Sequence, residues 1–173
     1  MYEQQEQDTE IADRAAQYRL QDAGFARWAK GYGRIQHDDL TQTRVHGLAE
    51  RVSAVGKGDG VRFYDLLYAL DRLCAAGMWL VVHETYARNV YLDGRPLKTE
   101  DFKRQPEGHT GGSLNMVPAY AGYLGVNTLT GITRAWLMGQ GHCVSAVDSL
   151  NLLVGNMTPA HAQRYSVSDE GLT

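Results

Sequence analysis

The sequence predicts an α/β chain that consists mostly of helices and carries one or two parallel strands in its last third. Apolar residues recur at helical spacing over most of the chain, and glycine-rich turns separate these stretches. A short apolar run at 133–138 has the length and composition of a buried parallel strand. With 173 residues, 43% of them hydrophobic, the chain is long enough to form a domain with a core.

The first third is predicted to contain two helices after a polar tail. Residues 1–9 are polar and acidic, which indicates a flexible tail. The apolar pattern then predicts a helix over 11–30, ended by Gly31 and its neighbours. Asp38 and Asp39 are suitable caps for a second helix. Its apolar stripe consists of Val45, Leu48, Ala49, Val52 and Val55.

The middle third predicts two more helices. Gly58-Asp59-Gly60 lies between amphipathic stretches and is interpreted as a helix–helix turn. The clearest helical period begins at Phe63, and Gly77 is placed to cap that helix at its C-terminus. The segment 78–92 fits a helix, although β-branched residues in its first half also fit a strand. We favour the helix, ended by the Asp93-Gly94 turn.

The last third is poor in charge. Between residues 108 and 155 few charged side chains occur, which is typical of an interior or an interface. The segment 114–124 predicts a helix with Pro118 in its first turn, where the missing N–H does little harm. After the strand, 144–154 restores helical spacing. The polar residues 158–173 indicate a loose C-terminal tail.

The composition of the chain indicates which partners and which cellular location to expect. The net charge is −3 and basic residues do not cluster, so we expect no nucleic-acid partner. The strongly apolar stretch 78–82 is too short to cross a bilayer, and the acidic N-terminus is unlike a signal peptide. Cys74 and Cys143 lie in apolar helical patterns and are interpreted as buried thiols. The sequence therefore predicts a cytoplasmic protein without a membrane partner.

Two short motifs each place a histidine among glycines before a helix. His109 lies in Glu107-Gly108-His109-Thr110-Gly111-Gly112-Ser113, and His142 ends Gly139-Gln140-Gly141-His142. Glycines let the backbone approach a ligand, and a helix start offers free N–H donors to an anion. Histidine adds a group that transfers protons near neutral pH. One such corner is usually an ordinary turn, whereas two in a charge-poor region make a phosphate-type ligand site a candidate.

These motifs carry a resemblance to a known family. The stretch GHTGGSLNMVPAYAGYL…TRAWLMGQGHCVSAVDSLNLLVGN, within residues 106–157, resembles the opening of the diphosphate-binding domain of transketolases and phosphoketolases. Those enzymes depend on thiamin diphosphate. The resemblance implies that 10–157 is the N-terminal part of a thiamin-diphosphate-binding fold, mostly helical, with one or two parallel strands.

The resemblance also implies roles for individual residues. His109 would be catalytic and contact the sugar-phosphate substrate near its reacting carbons. His142 would be catalytic and lie beside the cofactor diphosphate, with the backbone of Gly139 and Gly141 lining the approach. No metal ligand is predicted in this chain, because the magnesium-binding motif and the activating glutamate of the family follow later in those enzymes. Gly58-Asp59-Gly60 precedes the histidines, so its order is wrong for that motif.

The implied function is a component of a thiamin-diphosphate- and Mg²⁺-dependent enzyme acting on ketose phosphates such as xylulose 5-phosphate. Phosphoketolase-like cleavage of a C–C bond is favoured over a transketolase-like transferase or a xylulose 5-phosphate epimerase. The chain alone is expected to be inactive and to need the missing downstream region or a partner subunit, in a homo-oligomer. A non-catalytic fragment or assembly module is the alternative of another class.

Other residues with chemical potential predict less. His83 and Glu84 lack the second histidine of a helical zinc motif, so His83 is interpreted as a core histidine with its polar atoms satisfied. His37 is interpreted as a solvated residue at a helix start. The chain has no Gly-x-Ser-x-Gly elbow, which leaves a serine hydrolase unsupported.

Overall fold

The computed structural model describes residues 2–54 and 62–173, and these residues form helices joined by turns and loops. The helices are α1 (Tyr2–Gln21), α2 (Ala23–Ala29), α3 (Asp39–Ala54), α4 (Phe63–Tyr86), α5 (Thr110–Thr130), α6 (Val144–Val154), α7 (Pro159–Ala162) and α8 (Asp169–Leu172). Single 3₁₀ turns occur at Thr99–Asp101 and Gly141–Cys143.

The predicted α/β fold class is wrong. Within the described residues there is no strand, and extended pairing is limited to two isolated bridges, Tyr32 with Ile35 and Ala87 with Phe102. The run 133–138, predicted as a buried parallel strand, has no regular structure, and the side chain of Leu137 is 96% exposed. A parallel strand needs a neighbour to take up its backbone hydrogen bonds. The described part of the chain provides none, so apolar composition alone does not form the strand.

The chain divides into two compact units. The first unit comprises Met1–Arg72 and Gly125–Thr133, and the second comprises Leu73–Leu124 and Arg134–Thr173. The boundaries fall inside α4 and inside α5, so both helices contribute residues to each unit. The candidate site residues from the sequence all belong to the second unit.

The core of the first unit forms around aromatic side chains. Phe25, Trp28 and Ala29 of α2 are buried. Partly buried residues packed against them are Tyr18, Val45, Tyr64, Leu67 and Tyr68. The helix predicted over 11–30 is interrupted at Asp22, whose carboxylate accepts the N–H of Phe25 at 2.9 Å. Such a side-chain cap begins a new helix, which explains why α1 and α2 are separate.

The residues before α3 include one confirmed and one wrong prediction. Asp38 caps α3 as predicted, because its Oδ1 accepts the N–H of Thr41 at 2.7 Å. His37 was predicted to be solvated, but its ring stacks on Trp28 with centroids 4.4 Å apart. Its Nε2 lies 2.8 Å from Oδ2 of Asp71. The imidazole of His37 is therefore packed in the folded protein, although the sequence predicted that it is solvated.

Helix α4 runs without a break through the two segments that the sequence treated as separate helices. Gly77 was predicted to end the first of them, but it is buried inside α4. A Cβ there would lie 2.7 Å from Cδ2 of Leu150 and 3.3 Å from Cγ1 of Val117. This glycine therefore permits close packing and does not terminate a helix.

The length of the continuous helix α4 bears on whether the chain contains a segment that could cross a membrane. Its 24 residues are long and apolar enough, by length and composition alone, to cross a membrane. The sequence prediction considered only the shorter stretch 78–82. Core helices of soluble proteins meet the same criteria. The cytoplasmic location accordingly stays a prediction.

The core of the second unit joins α4, α5 and α6. Its fully buried side chains include Val81 of α4, Val117 of α5, and Ala146 and Leu150 of α6. Helix α5 begins four residues before the predicted start, so Pro118 lies inside it and not in its first turn. Pro118 is on an exposed side of the helix, where water can satisfy the carbonyl group that a proline leaves unpaired.

The loop between α4 and α5 is held by a buried carboxylate. Asp101 accepts hydrogen bonds from Nδ2 of Asn89 at 2.7 Å, the hydroxyl of Tyr91 at 3.0 Å and the N–H of Lys98 at 2.8 Å. These bonds, led by the one from Asn89, hold the pKa of Asp101 below its usual value. The result is a defined path for the chain into the His109 motif.

Three segment predictions stay open. Helix α1 begins at Tyr2, so most of the segment 1–9 is helical, and its flexibility stays a prediction. Residues 158–173 contain α7 and α8, and the carboxylate of Asp169 accepts the N–H of Leu92 at 2.8 Å. That this tail is loose also stays a prediction. The turn predicted at Gly58-Asp59-Gly60 lies outside the described residues.

Candidate functional site: a histidine pair beside a buried thiol

The starts of α5 and α6 are tied together by two serine hydroxyls. Ser145 Oγ, in the first turn of α6, donates to Ser113 Oγ, in the first turn of α5, at 2.9 Å. Ser113 is buried, so this bond is shielded from competing water. The carbonyl of His109 accepts the N–H of Ser113 at 2.9 Å, which places His109 at the start of α5. The 3₁₀ turn Gly141–Cys143 leads directly into α6.

The structure places the two candidate histidines side by side. The ring centroids of His109 and His142 are 4.9 Å apart, and the ring planes are inclined by 37°. Both side chains are exposed and open to a ligand from solvent. Their proximity follows from the Ser113–Ser145 bond, which joins the two helix starts that carry them. The catalytic and binding roles of the two residues stay predictions.

A third functional group at this site was missed by the sequence analysis. Cys143 is 2% exposed, which agrees with the prediction of a buried thiol. Its Sγ nevertheless lies within 4.8 Å of a ring nitrogen of His109 and of His142, and these two nitrogens lie within the same distance of each other. The signal in the sequence was the direct succession of His142 and Cys143. Its meaning depends on His109, which is 34 positions away from Cys143 in the chain.

Gly112 makes room for this cluster. A Cβ at this position would lie 2.6 Å from Nδ1 of His109 and 2.7 Å from Sγ of Cys143. Real side chains do not approach so closely, so a residue larger than glycine would displace one of these groups. The glycine that the sequence assigned to ligand approach therefore leaves space for two side chains of the protein itself.

Gly139 and Gly141, predicted to line the cofactor approach, are exposed. A Cβ at either position would meet no atom within 4 Å. Space near their backbone is therefore open to a ligand. Their predicted contact with a diphosphate stays a prediction.

A second feature of this unit is a cavity of about 620 Å³ with an unusual carboxyl in its wall. Glu84 lines it together with Ser145, Asp148 and His161, whereas neither histidine of the pair is among its lining residues. Burial raises the pKa of Glu84 to about 7, partly opposed by the hydrogen bond that Ser149 Oγ donates to it at 2.9 Å. The sequence analysis considered Glu84 only as part of a zinc motif and rejected it.

The substitution Glu84→Gln is expected to reduce the loss of stability as pH rises from about 4.5 to 7. In this interval the folded protein holds a proton on Glu84 that an unfolded chain, with a pKa of 4.5, has released. The contribution of Glu84 to stability is therefore present below about pH 4.5 and is lost as pH rises through about 7. The neutral amide of the variant does not ionise.

Urea unfolding at several pH values from about 4.5 to 8 measures this effect. The difference in free energy of unfolding between variant and wild type should move in favour of the variant as pH rises. Glu100→Gln, at an exposed carboxyl of the same unit, is the control and should follow the wild type. A wild type and a Glu84→Gln variant with parallel pH profiles would show that the carboxyl is not protonated in the folded state.

Comparison with known proteins adds no assignment. No protein-family model, curated protein or solved structure matches this chain. The function of this chain is therefore inferred from the geometry of the site and from the motifs that form it.

Proposed function

We propose that this chain contributes the substrate-contacting histidines of a thiamin-diphosphate-dependent enzyme that acts on ketose phosphates, with phosphoketolase-like cleavage of a C–C bond. The observation that supports it is the pairing of His109 and His142, with ring centroids 4.9 Å apart, at the starts of two helices. The sequence motifs that resemble transketolases and phosphoketolases are the same two corners. Neither the transferase nor the epimerase alternative has a separate observation in its favour.

The two imidazoles are suited to hold one anionic ligand. Both rings are exposed and neighbouring, so each can direct a ring N–H toward oxygens of the same phosphate or sugar. Hydrogen bonds to a charged oxygen are about twice as strong as neutral ones. The first N–H groups of α5 add donors that a helix leaves unpaired. In this proposal His109 orients the sugar phosphate, and His142 contacts the diphosphate of the cofactor.

The same donor set does not fit Mg²⁺. Magnesium prefers oxygen ligands in octahedral geometry, whereas this cluster offers two imidazoles and a thiol. The proposal therefore assigns the magnesium ligands to another part of the enzyme, outside this chain, and the chain is expected to be inactive alone. When bound, thiamin diphosphate would supply carbanion stabilisation, and the histidines would bind and orient.

An assembly role is the second candidate, favoured by exposed apolar side chains. Leu137 is 96% exposed and Val167 is 54% exposed, both in the second unit. Large apolar side chains left exposed are typical of proteins that bind another chain. The expected partner is a second copy of this chain. A stable oligomer that binds no phosphate ligand would favour this role.

Calorimetric titration with xylulose 5-phosphate, in the presence of a chelator, tests the proposed function. Wild-type protein should bind, and His109→Ala should weaken binding by about tenfold or more, because one charge-assisted hydrogen bond contributes about 1.5–3 kcal/mol. In a parallel titration with thiamin diphosphate, His142→Ala should have the larger effect. His161→Ala, at another exposed histidine of the unit, is the control and should bind like the wild type.

Two outcomes of these titrations would contradict the proposal. Absence of binding to both ligands by the wild type would contradict the proposed function. Equal binding by the wild type and both histidine variants would contradict the roles assigned to His109 and His142. Circular dichroism spectra of all variants should match the wild type, which shows that a lost affinity does not come from unfolding.

A further inference from the structure

We infer that His109, His142 and Cys143 form a binding site for Zn²⁺ or another thiophilic divalent metal ion. This inference does not depend on the proposed function, because it follows from the chemistry and distances of three side chains of this chain. It amends the sequence prediction that the chain contains no metal ligand.

The ligand set favours a borderline or soft ion. Imidazole nitrogen and thiolate sulfur are the ligands that zinc takes in most protein sites, whereas Mg²⁺ and Ca²⁺ prefer oxygen. Three protein ligands are also the number found in zinc sites that keep a fourth position open to water or substrate. The set of His109, His142 and Cys143 therefore matches an open, three-ligand site.

The distances are close to those that a tetrahedral site needs. Zinc lies about 2.0–2.1 Å from nitrogen and about 2.3 Å from sulfur, which places tetrahedral ligand atoms about 3.3–3.8 Å apart. The three candidate ligand atoms already lie within 4.8 Å of one another. Contraction by about 1 Å requires only rotation of two exposed imidazoles around a buried sulfur.

The surroundings hold the least mobile ligand in place. Cys143 is buried at the start of α6, and its N–H donates to the carbonyl of Gln140 at 2.9 Å. Gly112 leaves a space that is bordered by both Sγ of Cys143 and Nδ1 of His109. The Ser113–Ser145 bond fixes the two helix starts. The protein thus presents a fixed sulfur and two adjustable nitrogens.

A bound ion would alter the chemistry of the histidine pair. It would occupy one ring nitrogen of each imidazole, so these nitrogens could not bind a phosphate directly. The fourth coordination position would instead accept water or an anionic oxygen. A phosphate on a metal-loaded site could then be contacted only by the second ring nitrogen of each imidazole or at the open coordination position.

Titration of metal-free, reduced protein with Co²⁺ tests the site, because a cobalt–thiolate bond produces a charge-transfer absorption in the near ultraviolet. Wild-type protein should show this band at a stoichiometry of one Co²⁺ per chain, together with the visible bands of four-coordinate cobalt. Zn²⁺ should displace Co²⁺ and remove both signals. Cys143→Ser should lose the thiolate band, and Cys74→Ser should keep it.

Ligand variants measure the contribution of each histidine. His109→Ala and His142→Ala should each weaken Zn²⁺ binding, measured by competition with a chromophoric chelator, by at least about tenfold. His161→Ala should bind Zn²⁺ like the wild type. Gly112→Ala should also weaken binding, because the added methyl group displaces His109 or Cys143. Circular dichroism distinguishes these losses from unfolding.

The outcomes separate this inference from the proposed function. Absence of the thiolate band in the wild type, or its persistence in Cys143→Ser, would overturn the metal site. Neither result would affect binding of xylulose 5-phosphate measured with chelator present. Conversely, a wild type that binds Zn²⁺ but not the sugar phosphate would keep the metal site and contradict the proposed function.

Discussion

Replacing Leu150 by alanine is expected to lower the free energy of unfolding by about 2–5 kcal/mol. Leu150 is 0% exposed in α6, and its Cδ2 lies next to Gly77 of α4. Truncation to alanine removes apolar contacts and leaves a cavity. The surrounding helices relax into this cavity only partly, so part of the packing energy is lost. Chemical denaturation monitored by circular dichroism measures the change.

Leu137→Ala is the matched control for this prediction. It makes the same chemical change at a side chain that is 96% exposed, and we expect a change within about 0.5 kcal/mol. Similar destabilisation by the two substitutions would show that α6 is not packed as described. A small effect of Leu150→Ala alone would indicate that the core around it can collapse.

Replacing Gly77 by alanine is expected to destabilise the protein by about 1–3 kcal/mol, although alanine is the better helix former. The added Cβ would lie 2.7 Å from Cδ2 of Leu150 and 3.3 Å from Cγ1 of Val117. Both neighbours are fully buried, so neither side chain can move into solvent. The overlap must therefore be relieved by a less favourable rotamer of Leu150 within the core or by separation of α4 from its neighbours.

Gly122→Ala, in α5, provides a control with the opposite expected sign. Gly122 is exposed, and a Cβ there would meet no atom within 4 Å. The substitution should stabilise the protein by up to about 1 kcal/mol through helix propensity. Denaturation curves of the two variants and the wild type decide the comparison. Stabilisation by Gly77→Ala would contradict the close packing of α4 against Leu150.

Local signals in the sequence predicted most of the helices, and tertiary context decided the remainder. The cap at Asp38 and the helix over 144–154, which is followed by Gly155 with a φ of 69°, were predicted because their signals act locally. The strand predicted at 133–138 is absent, because a strand depends on partners elsewhere in the chain. Gly77 was taken for a helix end because sequence does not show which neighbour a glycine faces.

The candidate site could be predicted in part. His109 and His142 were recognised because each lies in a glycine corner before a helix. The contribution of Cys143 was missed because a buried thiol in an apolar helix is usually inert. Its significance comes from an imidazole brought close by folding. Glu84 was missed for the same reason, since its raised pKa results from burial and not from its sequence neighbours.

Gly112 links the stability of the helix start to the geometry of the histidine–cysteine cluster. A glycine inside α5 costs about 0.8–1 kcal/mol relative to alanine, and the structure offers no turn or positive φ at this position to require it. Gly112 leaves the space that Nδ1 of His109 and Sγ of Cys143 border. As at Gly77, an added methyl group would overlap a buried neighbour, here Cys143, so the helix propensity of alanine would not be realised. A substitution at this position is therefore expected to disturb the start of the helix and the cluster together.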